Sequence, residues 1–331
     1  MNPVALTLLS IAAAVLAAAI LLALFTAWTA RKVEAALPPK GRWIEAGLAR
    51  LHVSEAGPDG APPIVMIHGL AGQSSHYTYG VVPRLEERFR TVALDRPGSG
   101  YSPRDANAPA DLRVQADAVA ALIDALGLGR PLVVGHSLGG AIALALALDH
   151  PDKVAGLALL APLTHMQDAP PAVFKGLTIQ SPLLRSLVAW TLMLPASIKN
   201  SKATLAQVFG PNPVPKDFAT RGGGLLGLRP TAFIGASRDL QALPDALPSQ
   251  VARYRSLSVP VHVLYGRDDR ILDWNNNGQA LVDKAPNASL TLIDGGHMLP
   301  VTHPQQCADF IAEVARACAG AMGGAPQTAA R

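Results

Sequence analysis

The clearest candidate for chemistry in this chain is Ser137, which lies in the sequence Gly135-His136-Ser137-Leu138-Gly139. Glycines two positions before and after a serine allow a sharp turn in which a Cβ atom at either position would clash. The apolar residues 132–134 lead directly into this pentapeptide, and an apolar stretch at 141–148 follows it. The pattern predicts a strand, a tight turn and a helix, with the serine hydroxyl held at the helix N-terminus as a nucleophile.

Short apolar runs predict the strands that position this serine. Continuous apolar runs of this length are typical of parallel strands buried on both faces, and helix-like segments such as 111–126 separate them. This alternation indicates βαβ units and a parallel sheet. The predicted strands are 42–46, 49–55, 64–68, 91–95, 131–135, 154–160, 259–265 and 290–294.

Between residue 162 and about residue 256 the alternation lapses. A stretch of this length is too long for a loop in a compact domain. It contains helix-like apolar pieces such as 183–194, broken by proline and glycine. We interpret residues 163–256 as an inserted helical cap within a domain at 42–318, and we expect residues 319–331 to form a disordered tail.

The N-terminal segment has the character of a membrane anchor. Residues 4–30 contain no charged side chain, and as a helix they would extend about 40 Å, more than the ~30 Å hydrocarbon core of a bilayer. We predict a single-pass transmembrane anchor at 1–31 and a linker at 32–41. A cleaved signal peptide is the alternative, but Met-Asn-Pro has no basic side chain and the apolar run is too long.

Cations near the predicted anchor indicate its orientation. Arg31, Lys32, Lys40 and Arg42 all follow the apolar segment. The positive-inside rule therefore places the rest of the chain in the cytoplasm, with the opposite orientation left open.

Composition excludes several classes of protein. Half of the residues are hydrophobic and 16% are charged, as expected for a large buried core. The 28 Lys and Arg residues are scattered among 24 Asp and Glu residues, so we expect no nucleic-acid partner. Cys307 and Cys318 lie on one apolar helical stripe, about 16 Å apart, which predicts buried thiols and no disulfide.

Five motifs in order resemble the α/β-hydrolase family, specifically its capped, single-domain branch. They are His68-Gly69, residues 95–102, the serine pentapeptide, Gly266-Arg-Asp-Asp269 and Gly296-His297, and the resemblance covers about residues 42–318. It implies an α/β fold with a mostly parallel central sheet and helices on both faces. The inserted helical cap and the N-terminal transmembrane helix complete the expected architecture.

The resemblance also implies a base and an acid for Ser137. The family carries a histidine after its last strand, which corresponds to His297, with His303 as the competing residue. Its carboxylate follows the penultimate strand, usually three residues after a glycine, which corresponds to Asp269, with Asp268 as the alternative. A Ser137–His297–Asp269 triad is therefore expected, in the chain order of the family.

An oxyanion hole is implied at two backbone N–H groups. The residue after the nucleophile, Leu138, would supply one donor, and Leu70, in the turn after His68-Gly69, would supply the other. Asp95 belongs to a structural turn in the family and is assigned no catalytic role. We expect no metal and no cofactor.

The function implied is that of a serine hydrolase that cleaves carboxylic esters through a covalent acyl-enzyme. Epoxide hydrolases and haloalkane dehalogenases are disfavoured, because they use an aspartate nucleophile. The apolar cap segments 183–184, 187–188, 192–194 and 225–226 suggest that some line a pocket for an apolar or lipid-like substrate; the alternative is that they only pack the cap onto the core.

Other activities of the same fold stay open. Carbon–carbon bond hydrolases of aromatic degradation use a serine, but often carry Trp where this chain has Met298. Serine-type acyltransferases and haloperoxidases share the triad, and some relatives act as ligand receptors. The sequence predicts no particular oligomeric state.

Overall fold

The computed structural model of the chain describes residues 2–167 and 169–322. Most of the predicted tail, 323–331, lies outside the described residues. The strands are β1 Arg42–Ala46, β2 Ala49–Ala56, β3 Pro63–Ile67, β4 Arg90–Leu94, β5 Leu132–His136, β6 Gly156–Leu160, β7 Val261–Gly266 and β8 Ala288–Ile293. The helices are α1 Pro3–Ala36, α2 Ser75–Thr78, α3 Val82–Leu85, α4 Leu112–Ala125, α5 Leu138–Asp149, α6 Pro182–Trp190, α7 Met193–Phe209, α8 Pro230–Val251, α9 Ala280–Val282, α10 Leu299–Thr302 and α11 Pro304–Ala317.

The strands form one twisted layer in the described residues, in the order β1-β2-β4-β3-β5-β6-β7-β8. The pairs β1–β2 and β2–β4 are antiparallel, and the other pairs are parallel. The predicted mostly parallel α/β sheet is confirmed, and each predicted strand lies within two residues of the observed one.

Both faces of the sheet are covered by helices, which explains why its central strands are apolar at every position. In β3, Val65 and Ile67 belong to the core beneath α4 and α5, whereas Ile64 and Met66 belong to the core beneath α3 and α11. Successive side chains of a strand point to opposite faces, so a strand between two helix layers must be apolar throughout.

The cap leaves the sheet between two neighbouring strands. The chain exits after β6 and returns at β7, and Leu157 of β6 pairs directly with Val261 of β7. The apolar piece at 183–194 is two helices, α6 and α7, separated at 191–192. The last turns of α8 return to the main core, where Leu247 is fully buried and Gln250 donates a hydrogen bond to the carbonyl of Ala141.

The N-terminal helix α1 is long and apolar enough to cross a membrane. It runs past residue 31, where the anchor is expected to end, because its last turns pack on the cap. Thr26 and Val33 are buried, and Glu34 forms an ion pair with Arg229 at 3.3 Å. The hydroxyl of Tyr101 donates to the carbonyl of Leu37, which ties the end of α1 to the domain.

Candidate active site

Ser137 occupies a strained turn between β5 and α5. Its φ is 53° and its ψ is −121°, a conformation that non-glycine residues rarely adopt. The backbone around it is fixed by hydrogen bonds: its N–H donates to the carbonyl of Leu160 at 3.1 Å, and its carbonyl accepts from Gly140 and Leu163 at 2.8 and 2.9 Å. These contacts hold the strained residue in place.

The glycines around Ser137 allow a close approach between backbones. A Cβ atom on Gly139 would lie 2.1 Å from the carbonyl oxygen of Ile67, and one on Gly135 would lie 2.5 Å from that of Gly139. A Cβ on Gly69 would lie 2.9 Å from the Cβ of Ser137. The turn is as crowded as the glycine spacing predicts, and the structure shows that it packs directly against the end of β3.

His297 and Asp269 form a buried pair. The Nδ1 of His297 lies 2.7 Å from Oδ2 of Asp269. The other carboxylate oxygen accepts from the N–H groups of Ile271 and Leu272 at 2.8 and 2.9 Å. Because the carboxylate only accepts, the proton of a neutral imidazole resides on Nδ1 and leaves Nε2 free to act as a base.

The two alternative residues lie apart from this pair. Asp268 is exposed, and its backbone N–H donates to the carbonyl of Gly295 at 3.0 Å. The Nδ1 of His303 lies 2.8 Å from the hydroxyl of Thr302, the last residue of α10. The residue that contacts His297 is therefore Asp269, and His303 has a different partner.

Ser137, Asp269 and His297 follow β5, β7 and β8, respectively, at the carboxyl edge of the parallel strands. Among the described residues no hydrogen bond joins Ser137 to His297; such bonds are often long before substrate binds. The ring of His136 joins the turn of Ser137 to the loop of His297, because its Nε2 donates to the carbonyl of His297 at 3.0 Å. Burial and the neighbouring His297 hold the pKa of His136 well below its usual value, so this ring is neutral.

Leu70 and Leu138 both line a cavity together with Ser137. In the part of the chain that the structure describes, neither backbone N–H has a hydrogen-bond acceptor. Leu70 precedes Ala71, which has a φ of 52°, in a turn closed by the N–H of Gly72 and the carbonyl of Gly69 at 3.2 Å. The two donors are thus free and fixed in place, as an oxyanion hole requires.

A buried arginine that sequence reasoning missed supports this turn. Arg96 donates to the carbonyls of His68 and Gly69, both at 3.0 Å, and contacts Asp239 of α8 at 2.7 Å and Gln115 of α4 at 2.6 Å. Burial and Arg96 hold the pKa of His68 well below its usual value, so its neutral ring donates from Nδ1 to Gly69. The motif at 95–102 gives the position of Arg96 but not its partner in α8.

Asp95 has a structural environment. Its carboxylate accepts from the N–H groups of Ser74 at 2.7 Å and Tyr101 at 2.9 Å, and lies 2.9 Å from Nδ1 of His52. These bonds join three segments of backbone. That Asp95 has no catalytic role stays a prediction.

The cavity at Ser137 has a volume of about 260 Å³ and an apolar wall. Among the described residues that line it, none is charged. The apolar lining residues are Leu70, Leu138, Leu163, Met166, Pro170, Pro171, Phe174, Leu240, Leu243, Pro244, Ile271 and Leu272, and the polar ones are Ser137, Gln167, Thr178, Gln180 and Gln241. The site can accept an uncharged apolar group beside the serine.

The expectation that the named apolar segments of the cap line this pocket is wrong. None of 183–184, 187–188, 192–194 and 225–226 belongs to the described lining. The lining comes from the turns at 70 and 137–138, from 163–167 and 170–180 after β6, from the middle of α8 and from the loop after Asp269. The alternative, packing onto the core, holds for Leu194 and Leu226, which are buried. Leu183, Leu184 and Leu187 are instead exposed on the outer surface of the cap.

Comparison with known proteins identifies relatives along most of the chain. A family model described as alpha/beta hydrolase fold matches residues 62–205. The 2-hydroxymuconate semialdehyde hydrolase of Pseudomonas sp. (strain CF600) is 29% identical over 289 residues, covering 83% of this chain and 95% of the relative. The magnesium-chelatase 30 kDa subunit of Rhodobacter capsulatus is 29% identical over 250 residues, covering 75% of this chain and 84% of that one.

A solved structure has the same fold. The crystal structure of a membrane phospholipase A, described as a bacterial virulence factor, superimposes with a TM-score of 0.69 at 24% identity, covering 95% of this chain and 97% of that one. A match over 95% of this chain is longer than residues 37–331, so it includes part of helix α1.

The close approach of backbones at the serine turn predicts that a single methyl group added at Gly139 destabilises the fold. Gly139→Ala should lower the free energy of unfolding by about 3 kcal/mol, because the new Cβ would displace the backbone of β3. Urea unfolding of the full chain in mild detergent, followed by tryptophan fluorescence, measures this. The control is Gly227→Ala, whose Cβ would meet no atom within 4 Å; equal midpoints for the two variants would contradict the prediction.

The contact between His297 and Asp269 predicts a difference between two adjacent aspartates. Asp269→Asn should slow the reaction of Ser137 with a fluorophosphonate by about 10⁴-fold, because the amide favours the wrong imidazole tautomer. Asp268→Asn, at an exposed position, should change the rate by less than about twofold. Rates of labelling, measured by mass spectrometry, decide; a larger loss in Asp268→Asn would reverse the assignment.

Proposed function

Because the chain belongs to the α/β-hydrolase fold family, we propose that it is a serine hydrolase that cleaves carboxylic esters with an apolar acyl or alcohol group. The observation that carries the proposal is the shared cavity of Ser137, Leu70 and Leu138. It holds a serine in a strained turn and, among the described residues, two N–H groups without an acceptor and a largely apolar wall that carries no charge.

The proposed reaction proceeds through an acyl-enzyme. The Oγ of Ser137 attacks the ester carbonyl while Nε2 of His297 removes its proton. The N–H groups of Leu70 and Leu138 stabilise the negative charge on the carbonyl oxygen. His297 then gives the proton to the leaving alcohol, and water, activated by the same nitrogen, releases the acid.

Asp269 has a positioning and electrostatic role in this reaction. Its carboxylate holds Nδ1–H of His297 and stabilises the imidazolium that forms when the serine proton is taken. The N–H groups of Ile271 and Leu272 keep the carboxylate oriented through its second oxygen. Whenever the imidazole is neutral, its proton is therefore held on Nδ1 and Nε2 acts as the base.

The cavity favours an ester over a carboxylate-bearing substrate. Hydrolysis of a muconate, the substrate class in the name of one relative, would bring an anionic group next to the serine. None of the described lining residues is cationic, so such a charge would be desolvated without a partner. We therefore rank carbon–carbon bond hydrolysis below ester hydrolysis.

We further propose that α1 anchors the enzyme in a membrane, with the catalytic domain in the cytoplasm. Support comes from the apolar length of α1 and from the match of a membrane phospholipase into this helix. The cations that follow the apolar stretch, Arg31 and Lys32, favour the cytoplasmic side. The anchor would hold the cavity near a membrane, where apolar esters concentrate.

Hydrolysis of p-nitrophenyl esters tests the activity and its chain-length preference. We expect kcat/KM to rise from acetate to octanoate, by up to about fourfold per methylene, because each methylene buried in the cavity contributes ~0.8 kcal/mol. The full chain in mild detergent is assayed by release of nitrophenolate. A preference for acetate would contradict an apolar or lipid-like substrate.

Ser137→Ala is the control for this assay. It should abolish both turnover and labelling by a fluorophosphonate while leaving the unfolding midpoint unchanged, because the replacement removes only the hydroxyl. Retained turnover in this variant would refute the assigned nucleophile. Labelling of the unsubstituted chain without turnover of any ester would instead indicate a ligand receptor.

Protease accessibility tests the orientation. In intact cells that produce the chain, external protease should leave the catalytic domain uncut until the membrane is permeabilised, because the domain lies on the side of Arg31 and Lys32. Immunoblotting of an epitope placed after residue 331 gives the readout. Digestion in intact cells would show that the domain lies on the opposite side of the membrane, without affecting the proposed chemistry.

A further inference from the structure

Helix α6 presents an apolar face to the outside of the molecule. Leu183 is 84% exposed, Leu184 50%, Leu187 56% and Trp190 41%. Their spacing places them along one side of the helix. We call these four residues the α6 face.

The opposite side of α6 buries Ala189 together with a charged residue, Arg185, while the leucines face outward, which departs from the usual pattern. Arg185 is buried, and its guanidinium donates to the carbonyl of Ile179 at 2.8 Å and to the hydroxyl of Ser237 at 2.9 Å. A helix that faces water keeps its charges outside and its leucines inside. The reversed arrangement in α6 is that of a helix whose outer face meets an apolar medium.

The position of α6 beside α1 identifies that medium. Helix α1 packs against α6 and against the short helix Gly224–Leu228. Its 34 residues extend about 51 Å, of which ~30 Å suffices to cross the hydrocarbon core. The remaining turns include Thr26 and Val33, which are buried against the domain. The cap therefore meets α1 at the level of the membrane surface.

The charge of the surrounding surface fits anionic lipid headgroups. Residues 169–216, which include α6 and α7, contain no Asp or Glu. The exposed charges in this stretch are Lys175, Lys199, Lys202 and Lys216. Apolar side chains flanked by lysines are typical of helices that lie in the interface of a bilayer.

We propose that the α6 face inserts into the interface of the bilayer that α1 crosses, and that this contact delivers the substrate. Thr178 and Gln180 are exposed and line the cavity, and α6 begins two residues later. Docking of α6 brings this rim of the cavity to the membrane surface, so an apolar ester enters from the lipid phase. The proposal rests on the membrane anchor and ester hydrolysis proposed above.

Fluorescence quenching tests the docking independently of catalysis. The full chain carrying Leu187→Cys is labelled with an environment-sensitive fluorophore and reconstituted in vesicles of phosphatidylcholine and phosphatidylglycerol. The native Cys307 and Cys318 are buried, and burial raises the pKa of both thiols, so they react poorly. The matched control is Leu48→Cys, at a fully exposed leucine in the β1–β2 turn.

The two labels should respond in opposite ways. We expect nitroxide-bearing lipids to quench the label at 187 at least about fivefold more than the label at 48, and aqueous iodide to quench the label at 48 more. Equal quenching by iodide at both positions, in protein that floats with the vesicles, would overturn docking and leave the anchor intact. Protein that does not float would refute the anchor.

Two further measurements distinguish other origins. If shielding of the label at position 187 from iodide increases with the ratio of protein to lipid, a second copy of the chain covers the α6 face. That result would overturn the proposal.

The double variant Leu183→Glu with Leu187→Glu tests the delivery of substrate. It should lower the hydrolysis of an ester dissolved in the vesicles about tenfold more than that of a water-soluble ester. Leu48→Glu should affect neither; equal loss on both substrates would overturn delivery from the bilayer.

Discussion

The geometry of the site depends on the contact between the Ser137 turn and the end of β3. The backbone of Gly139 approaches the carbonyl of Ile67 so closely that no side chain fits between them, and Gly69 lies against the side chain of Ser137. This contact sets the distance between the serine and the turn that carries Leu70. The proposed nucleophile and the two proposed oxyanion donors are thereby positioned by backbone packing rather than by the choice of a side-chain rotamer.

A buried cluster of charges extends this constraint to the cap. Arg96 and Arg104 both contact the carboxylate of Asp239, at 2.7 Å each, and all three side chains are almost fully buried. Desolvating them is costly and is offset only while every partner is in place. Arg96 also binds the carbonyls of His68 and Gly69. The same arginine therefore stabilises helix α8, which forms part of the cavity wall, and the turn that carries Leu70.

The strands and the Ser137 turn were predictable because local patterns determine them: burial on two faces requires apolar runs, and a crowded turn requires glycine. Asp269 was expected over Asp268 only from the spacing of the resembling family, because the sequence does not show which carboxylate caps the N–H groups of the next turn. The contact of Arg96 with Asp239 joins residues 143 positions apart and leaves no local signal. The prediction that apolar cap segments line the pocket was wrong for α6 because apolar side chains usually face inward, whereas the leucines of α6 face outward.

The insertion point of the cap separates the sheet from the segment that builds most of the cavity wall. The chain leaves the sheet after Leu160 and re-enters beside it at Val261. The pairing of β6 with β7 therefore does not depend on the length or shape of the cap between them. Ser137 precedes this excursion, and Asp269 and His297 follow it. A change in the cap could therefore alter most of the cavity wall and the exposed face of α6 while leaving Ser137, Asp269 and His297 on the same sheet.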